Sequence, residues 1–199
     1  MKLSANILFV VVALSTATWP APEPGTRIRQ VLSTDKVSES EARAFEASTD
    51  SAARTFHAQR GKLATGEPMP AEVEAVFDQL AGICSKYSLR GDQTLDLLGS
   101  VLLEFNPRMV EMSGTFNHMS VTMREHNVPG PELYRFLVPT LKKGLRYRLA
   151  VDRSDKPRPS LATLREARAF AERYGLPFQD LMGDIQKLRA FSESLDPSP

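Results

Sequence analysis

The sequence predicts an all-α protein, a bundle of five or six helices that follows a disordered N-terminal leader. From residue 70 onward, apolar residues recur at steps of three and four, which places them on one face of a helix. Residues that cap or end helices separate these apolar patterns. No segment alternates apolar and polar residues for long enough to indicate a strand. We therefore expect one helical domain over residues 70–195.

Residues 1–17 have the organisation of a secretory signal peptide. Lys2 provides the positive charge, residues 7–14 are apolar, and small residues lead up to a predicted cleavage site after Ala17. A membrane-spanning helix needs about 20 apolar residues, so this short segment indicates export and not anchoring. No later stretch is apolar and long enough to predict a membrane span. The sequence thus predicts a secreted protein.

Residues 18–69 are predicted to form a disordered or partly helical leader. Three prolines in residues 20–24 favour an extended chain without a core. Ser38 and Glu41 have the spacing of a capping box, which predicts a helix from Glu39 to about Ala58. Its apolar residues are mostly alanine, with Phe45 and Phe56 as the exceptions, so we expect a marginal helix. The glycines and prolines of residues 61–70 indicate a linker.

Three helices are predicted in the first half of the domain. Pro70 suits the first turn of one helix, Gly91 is expected to end it, and Asp92 is expected to cap the next. Asn106 followed by Pro107 predicts the cap and first turn of a third helix, which ends before Pro129. The predicted apolar faces consist of Val73, Val76, Phe77, Leu80, Ile83, Cys84 and Tyr87, then Leu95, Leu98, Leu102 and Phe105, then Met109, Met112, Phe116, Met119 and Met123.

Three further helices are predicted in the second half of the domain. Pro131 begins the fourth, and Pro139 inside it predicts a kink or a break near Val138. Ser160 is expected to cap the fifth helix and Gly175 to end it. The sixth runs from about Phe178 to Ser194, and residues 196–199 form a tail. Their predicted apolar faces consist of Leu133, Phe136, Leu137, Leu141 and Leu145, then Leu161, Leu164, Ala167, Phe170, Ala171 and Tyr174, then Phe178, Leu181, Met182, Ile185, Leu188 and Phe191.

The residues that carry enzyme chemistry form no recognisable motif. The histidines, His57, His118 and His126, lack the spacing of metal ligands, and the single cysteine, Cys84, lies on an apolar helix face. No nucleophile elbow, phosphate-binding glycine loop or zinc-protease motif is present. The sequence therefore predicts no enzyme, no cofactor and no metal site. The methionines from Met109 to Met123 are expected to fill the core, although flexible methionine surfaces can also bind partners.

A basic cluster is the candidate partner-binding surface. Lys142, Lys143, Arg146 and Arg148 follow one another closely in the fourth predicted helix. Such a cluster can attract an acidic partner, but cations also complement the dipole at the end of a helix. The formal net charge of the chain is only +1, so composition does not favour nucleic acid as the partner.

The leader carries two short motifs in a suggestive order. Arg29-Gln30-Val31-Leu32 comes first, and Glu39 with Ser40-Glu41-Ala42-Arg43 follows. This layout resembles that of the secreted RxLR-type effectors of oomycete plant pathogens, in which a signal peptide precedes an Arg-x-Leu-Arg motif, a Glu-Glu-Arg motif and a helical domain. Leu32 stands one place later than in that pattern, no arginine follows it, and Ala42 replaces the second glutamate. The resemblance covers about 45 residues and marks Arg29, Leu32, Glu39, Glu41 and Arg43 as translocation-motif residues.

This resemblance implies a secreted virulence effector that acts in the cytoplasm or nucleus of a host cell. Such a protein binds a host protein and suppresses immunity or cell death. The alternative is an exported helical protein that binds a small apolar ligand or serves as an extracellular or periplasmic accessory factor. An apolar cavity inside the bundle would favour the alternative, whereas an exposed patch over a filled core would favour the effector.

Overall fold

The computed structural model describes residues 26–64, 66–152 and 161–194, and within these ranges the chain is all-α as predicted. The predicted signal peptide, residues 18–25, Ser160 and the tail of residues 196–199 lie outside the described residues. The α-helices and one short 3-10 helix are α1 (Thr26–Thr34), α2 (Glu39–Gln59), α3 (Ala71–Lys86), α4 (Gly91–Phe105), the 3-10 helix (Pro107–Met112), α5 (Ser113–Glu125), α6 (Gly130–Leu149), α7 (Leu161–Tyr174) and α8 (Phe178–Ser194).

Helix α4 lies at the centre of the bundle. It packs against α1, α2, α5 and α6. Leucines occur on more than one of its sides, and Leu95, Leu97 and Leu98 are at most 1% exposed. Because leucines on more than one side of α4 need apolar neighbours, other helices pack around most of it. Helices α7 and α8 pack against each other, and α8 also packs against α5 and α6.

Helix α2 is present as predicted but contributes far more to the core than its sequence suggested. Phe45 is 2% exposed and Phe56 is fully buried, where its ring meets Phe105 edge to face at 5.4 Å between centroids. The expectation of a marginal helix was wrong. The buried alanines Ala52 and Ala53 are small enough to let the backbones approach closely, so alanine here indicates tight packing against α3 and α4.

Residues 26–34 and 61–70 also belong to the packed structure. Ile28 and Leu32 of α1 are fully buried. In the predicted linker, the Leu63 amide donates to the carbonyl of Leu149 and its carbonyl accepts from the Val151 amide, each at 2.8 Å. The segment after α2 is therefore tied to the end of α6. Among the described residues, those before and those after position 70 pack into one hydrophobic core, so position 70 is not a boundary between a leader and a domain.

Several helix ends differ from the prediction. The third predicted helix is divided into the 3-10 helix and α5, with the Asn106 side chain accepting from the Arg108 amide at 3.3 Å. Gly91 begins α4 and does not end α3. Asp92 does not cap α4, because it lies within the first turn and Arg90 is the N-cap residue, to which Asp92 is ion-paired at 2.7 Å. Helix α6 continues through Pro139, so the predicted break near Val138 is absent, whereas the predicted bounds of α8 are confirmed.

Candidate functional site

The first leader motif lies in α1, and its two marked residues hold that helix in place. Leu32 is fully buried in the core. The Nε atom of Arg29 lies 2.6 Å from the Glu46 carboxylate on α2. Both side chains therefore attach α1 to the rest of the bundle.

The second leader motif lies in the first turn of α2. Arg43 donates to the Glu39 carboxylate at 2.8 Å, and both side chains are more than 60% exposed. Glu41 is different, because it accepts from the Lys86 ammonium at 2.7 Å and from the Tyr87 hydroxyl at 2.6 Å. These two hydrogen bonds lower the pKa of Glu41. The exposed part of this motif is thus the Glu39–Arg43 pair, while Glu41 connects α2 to the end of α3.

Most of the predicted basic cluster lines one groove, which we call the basic groove. Its residues are Met69, Glu74, Pro139, Lys142, Lys143 and Arg146, and its volume is about 300 Å³. Lys142 forms an ion pair with Glu74, and its ammonium lies 5.6 Å from the centroid of the Phe77 ring. Among the described carboxylates, none pairs with Lys143 or Arg146. The local positive charge therefore comes from Lys143 and Arg146.

Arg148 does not belong to the basic groove. It is only 6% exposed and lies beside Leu102, Leu141 and Leu188 in the core, so the prediction of a partner-binding role for it is wrong. Successive residues turn by about 100° around a helix, so two positions place Arg148 almost opposite Arg146. The space around these core residues is about 20 Å³, which has no room for an organic ligand.

The methionines and Cys84 mostly serve as core residues. Met112, Met119 and Met123 are at most 7% exposed, in agreement with the predicted core-filling role, whereas Met109 is half-buried. Cys84 is fully buried, and the Thr94 hydroxyl donates to its sulfur at 3.6 Å. Burial raises the pKa of the Cys84 thiol to about 11, which keeps the sulfur in its unreactive protonated form.

The histidines connect helices. His118 Nδ1 lies 2.6 Å from the buried Asp184 carboxylate, which joins α5 to α8. The ring of His126 contacts the Tyr174 carbonyl at 3.0 Å, and that of His57 contacts the Glu104 carbonyl at 3.1 Å. Within the described ranges, no group of three His, Cys, Asp or Glu side chains could hold a metal ion.

A cleft lies between α1, α4 and the 3-10 helix with α5, and we call it the α1–α4–α5 cleft. Its volume is about 570 Å³. Leu95 is fully buried at its floor, and Val110 is 54% exposed at its edge. The residues that line it are Arg27, Leu95, Asp96, Gly99, Leu103, Met109, Val110, Ser113, Gly114, Phe116 and Asn117. The cleft is therefore mainly apolar, with Arg27 and Asp96 as its charged residues.

Sequence analysis did not predict this cleft. Its walls come from segments far apart in the chain, and only their packing brings Arg27 into the same cleft as Asp96. Burial raises the pKa of Asp96, and the nearby Asp92 raises it further. The local signal is a pair of glycines: the Phe116 ring of α5 packs close to Gly99 of α4, and a Cβ atom at Gly114 would meet no neighbouring atom within 4 Å.

Comparisons with known proteins assign the chain to no family. No protein-family model, curated protein or solved structure matches it significantly. Within the described residues, each helix is too short or too polar to cross a bilayer. Function is therefore argued from the basic groove and the α1–α4–α5 cleft.

Proposed function

We propose that this chain is an exported effector that acts inside a host cell. It binds an acidic segment of a host protein in the basic groove and thereby suppresses immunity or cell death. The observation that carries the proposal is the pair of cations, Lys143 and Arg146, that borders Pro139 without a carboxylate partner among the described residues. The signal peptide and the order of the leader motifs support the exported character.

The basic groove combines the two properties that protein recognition uses. Pro139 and Met69 provide apolar contact area, and Lys143 and Arg146 provide charge that attracts and orients a carboxylate-bearing segment. Glu74 already balances Lys142, so Lys142 forms part of the wall and the other two cations select the partner. Arginine is frequent at binding hot spots because its planar guanidinium can hold a carboxylate with two hydrogen bonds.

The exposed Glu39–Arg43 turn is the part of the leader best placed to be recognised during entry. Leu32 is fully buried, so a receptor or protease that needs this residue would have to unfold α1 first. The proposal therefore assigns recognition to the start of α2, where the side chains of Glu39 and Arg43 are exposed.

The test is expression of residues 18–199 inside plant leaf cells together with a cell-death elicitor. The wild-type chain should suppress death, and the double variant Lys143→Glu with Arg146→Glu should not. A double variant with the same charge change at exposed sites on other helices, Arg54→Glu with Arg165→Glu, should act as the wild type does. Immunoblots must show equal accumulation.

Two outcomes would contradict the proposal in different ways. If the groove variant suppresses death as well as the wild type, the basic groove is not the binding site. If the wild type has no effect although it accumulates, the chain is not an intracellular effector of cell death. Co-purification from the same tissue would then show whether Lys143 and Arg146 still determine which proteins are bound.

A second candidate function, a carrier of a small apolar ligand, is favoured by the α1–α4–α5 cleft. Its volume of about 570 Å³ lies within the range of roughly 300–1,000 Å³ that is usual for ligand pockets. A fluorescent fatty acid should bind the purified chain with one-to-one stoichiometry if this function is correct. Absence of saturable binding would reject it.

A further inference from the structure

We propose that residues 18–25, which include Trp19, dock in the α1–α4–α5 cleft and occupy it in the exported protein. The proposal concerns a different surface from the basic groove and does not depend on the effector function. It rests on the place where the described chain begins, on the reach of the preceding segment, and on the chemistry of both surfaces.

The described chain begins at this cleft. Arg27, the second residue of α1, is one of the lining residues. Neighbouring Cα atoms are about 3.8 Å apart, so the cleft is within reach of the residues that precede Thr26.

The segment is long enough to cross the cleft. The lining residues of α4 extend from Leu95 to Leu103, which is about 12 Å at 1.5 Å per helical residue. An extended proline-rich chain covers about 3.1 Å per residue, so Trp19 lies within about 25 Å of Arg27. Trp19 can therefore reach the Phe116 side of the cleft without any change in α1.

The two surfaces match chemically. Residues 18–25 contain a tryptophan, three prolines and a single charged residue, Glu23. Proline-rich segments bind grooves lined by aromatic and apolar side chains, because little conformational entropy is lost when they dock. Phe116 offers an aromatic surface and the exposed Val110 an apolar one, while the open space beside Gly114 leaves room for an indole ring.

Covalent attachment makes docking favourable even if the contact is weak. A short tether gives an effective concentration on the order of millimolar, so a contact with a much weaker affinity than a typical complex is still populated. The docked segment would cover Val110, whose side chain is otherwise 54% exposed.

Tryptophan fluorescence tests the proposal directly, because Trp19 is the only tryptophan of the chain. The full chain is secreted from a host that removes the signal peptide, and mass spectrometry verifies that Trp19 is retained. Compared with a free peptide of residues 18–25, the protein should show emission at shorter wavelength and several-fold weaker quenching by acrylamide. Unfolding in urea should abolish both differences.

Two matched leucine variants identify the docking site. A Cβ atom at Gly114 or at Gly82 would meet no neighbouring atom within 4 Å, so both positions have open space for a side chain. Gly114→Leu fills the cleft and should give Trp19 the emission and quenching of the free peptide. Gly82→Leu lies on α3, outside the cleft, and should leave Trp19 protected. Circular dichroism verifies that both variants are folded.

The remaining outcomes overturn the proposal. If Trp19 in the wild-type protein is quenched as strongly as it is in the free peptide, the segment does not dock. Trp19 that stays protected in Gly114→Leu shows that it docks on another surface. Loss of protection in both leucine variants, with both folded, would equally exclude the α1–α4–α5 cleft as the specific site.

Discussion

At the scale of single residues, Glu41 shows how a motif-like residue can have a structural role. Its carboxylate receives hydrogen bonds from Lys86 and Tyr87, which belong to the end of a different helix. Glu39, two positions earlier, pairs only with Arg43 in its own helix. The two glutamates are equivalent in the sequence motif, but only Glu41 contributes to tertiary packing.

This difference predicts a pH-dependent effect of Glu41→Gln. Hydrogen bonds from Lys86 and Tyr87 lower the pKa of Glu41 below its usual 4.5, so its stabilisation is complete above that pH and disappears as the pH falls through the lowered pKa. The substitution should lower the free energy of unfolding by about 1 kcal/mol at neutral pH. The effect of the substitution should become much smaller at acid pH. Urea unfolding of both proteins at neutral and at acid pH measures the difference.

The matched control for this substitution is Glu39→Gln in the same turn of α2. Because the Glu39–Arg43 pair is exposed, its loss should cost no more than about 0.5 kcal/mol. Equal effects of the two substitutions at neutral pH would contradict the structural role of Glu41.

At the scale of elements, two neighbouring turns determine how α3, α4, α5 and α6 meet. The Gly91 amide donates to the Val128 carbonyl at 2.7 Å, and the Gly130 amide donates to the Leu89 carbonyl at 2.8 Å. The turn before α4 is therefore paired with the turn before α6. A Cβ atom at Gly130 would collide with the Leu89 carbonyl and the Thr94 hydroxyl, so only glycine permits this approach.

Gly130→Ala should consequently destabilise the protein. Relief of the collision requires the paired turns to separate, and overpacking of this kind costs about 1–3 kcal/mol. Gly82→Ala is the matched control, because its Cβ atom would lie in open space on α3 and alanine favours a helix by up to about 1 kcal/mol over glycine. Thermal unfolding should give a lower Tm for the first variant and an unchanged or higher Tm for the second. A Tm of Gly130→Ala equal to that of the wild type would contradict the paired-turn packing.

At the scale of the whole molecule, α1 and α2 are part of one hydrophobic core with the six helices that follow. Phe56 contacts Phe105 of the central helix, and Leu32 is fully buried. Removal of the first two helices would therefore expose apolar faces of α3 and α4 to water. The region that the leader motifs suggested as a separable delivery segment is packed into the core, so we expect it to be needed for folding.

This packing predicts that Phe56→Ala lowers the free energy of unfolding by about 3–5 kcal/mol, the usual cost of deleting a buried phenylalanine. Arg54→Ala, an exposed change in the same helix, should have little effect.

A chain that begins at residue 60 should lose cooperative unfolding and bind a hydrophobic dye. Calorimetry of the three proteins measures these effects, and cooperative unfolding of the shortened chain would show that α1 and α2 are dispensable.

Helical periodicity and capping residues determined much of this protein without tertiary information. They predicted an all-α chain, five or six helices after residue 70 and the bounds of α8, because steps of three and four in apolar residues reflect the local geometry of the backbone. They also identified Lys142, Lys143 and Arg146. These residues lie within about one turn of α6 and therefore line the same groove.

Only the tertiary structure decided which of these residues are buried in the core, which are exposed, and which come together in a cleft. Alanine-rich α2 is a core helix because the close approach of its backbone to neighbouring helices compensates for its small side chains. Arg148 is buried because it lies on the face of α6 opposite Arg146, and that face packs against the core. The α1–α4–α5 cleft depends on residues from Arg27 to Asn117 that only folding brings together. Local sequence patterns carry no information about such distant pairs, so packing alone determined where a ligand or a segment of the chain can bind.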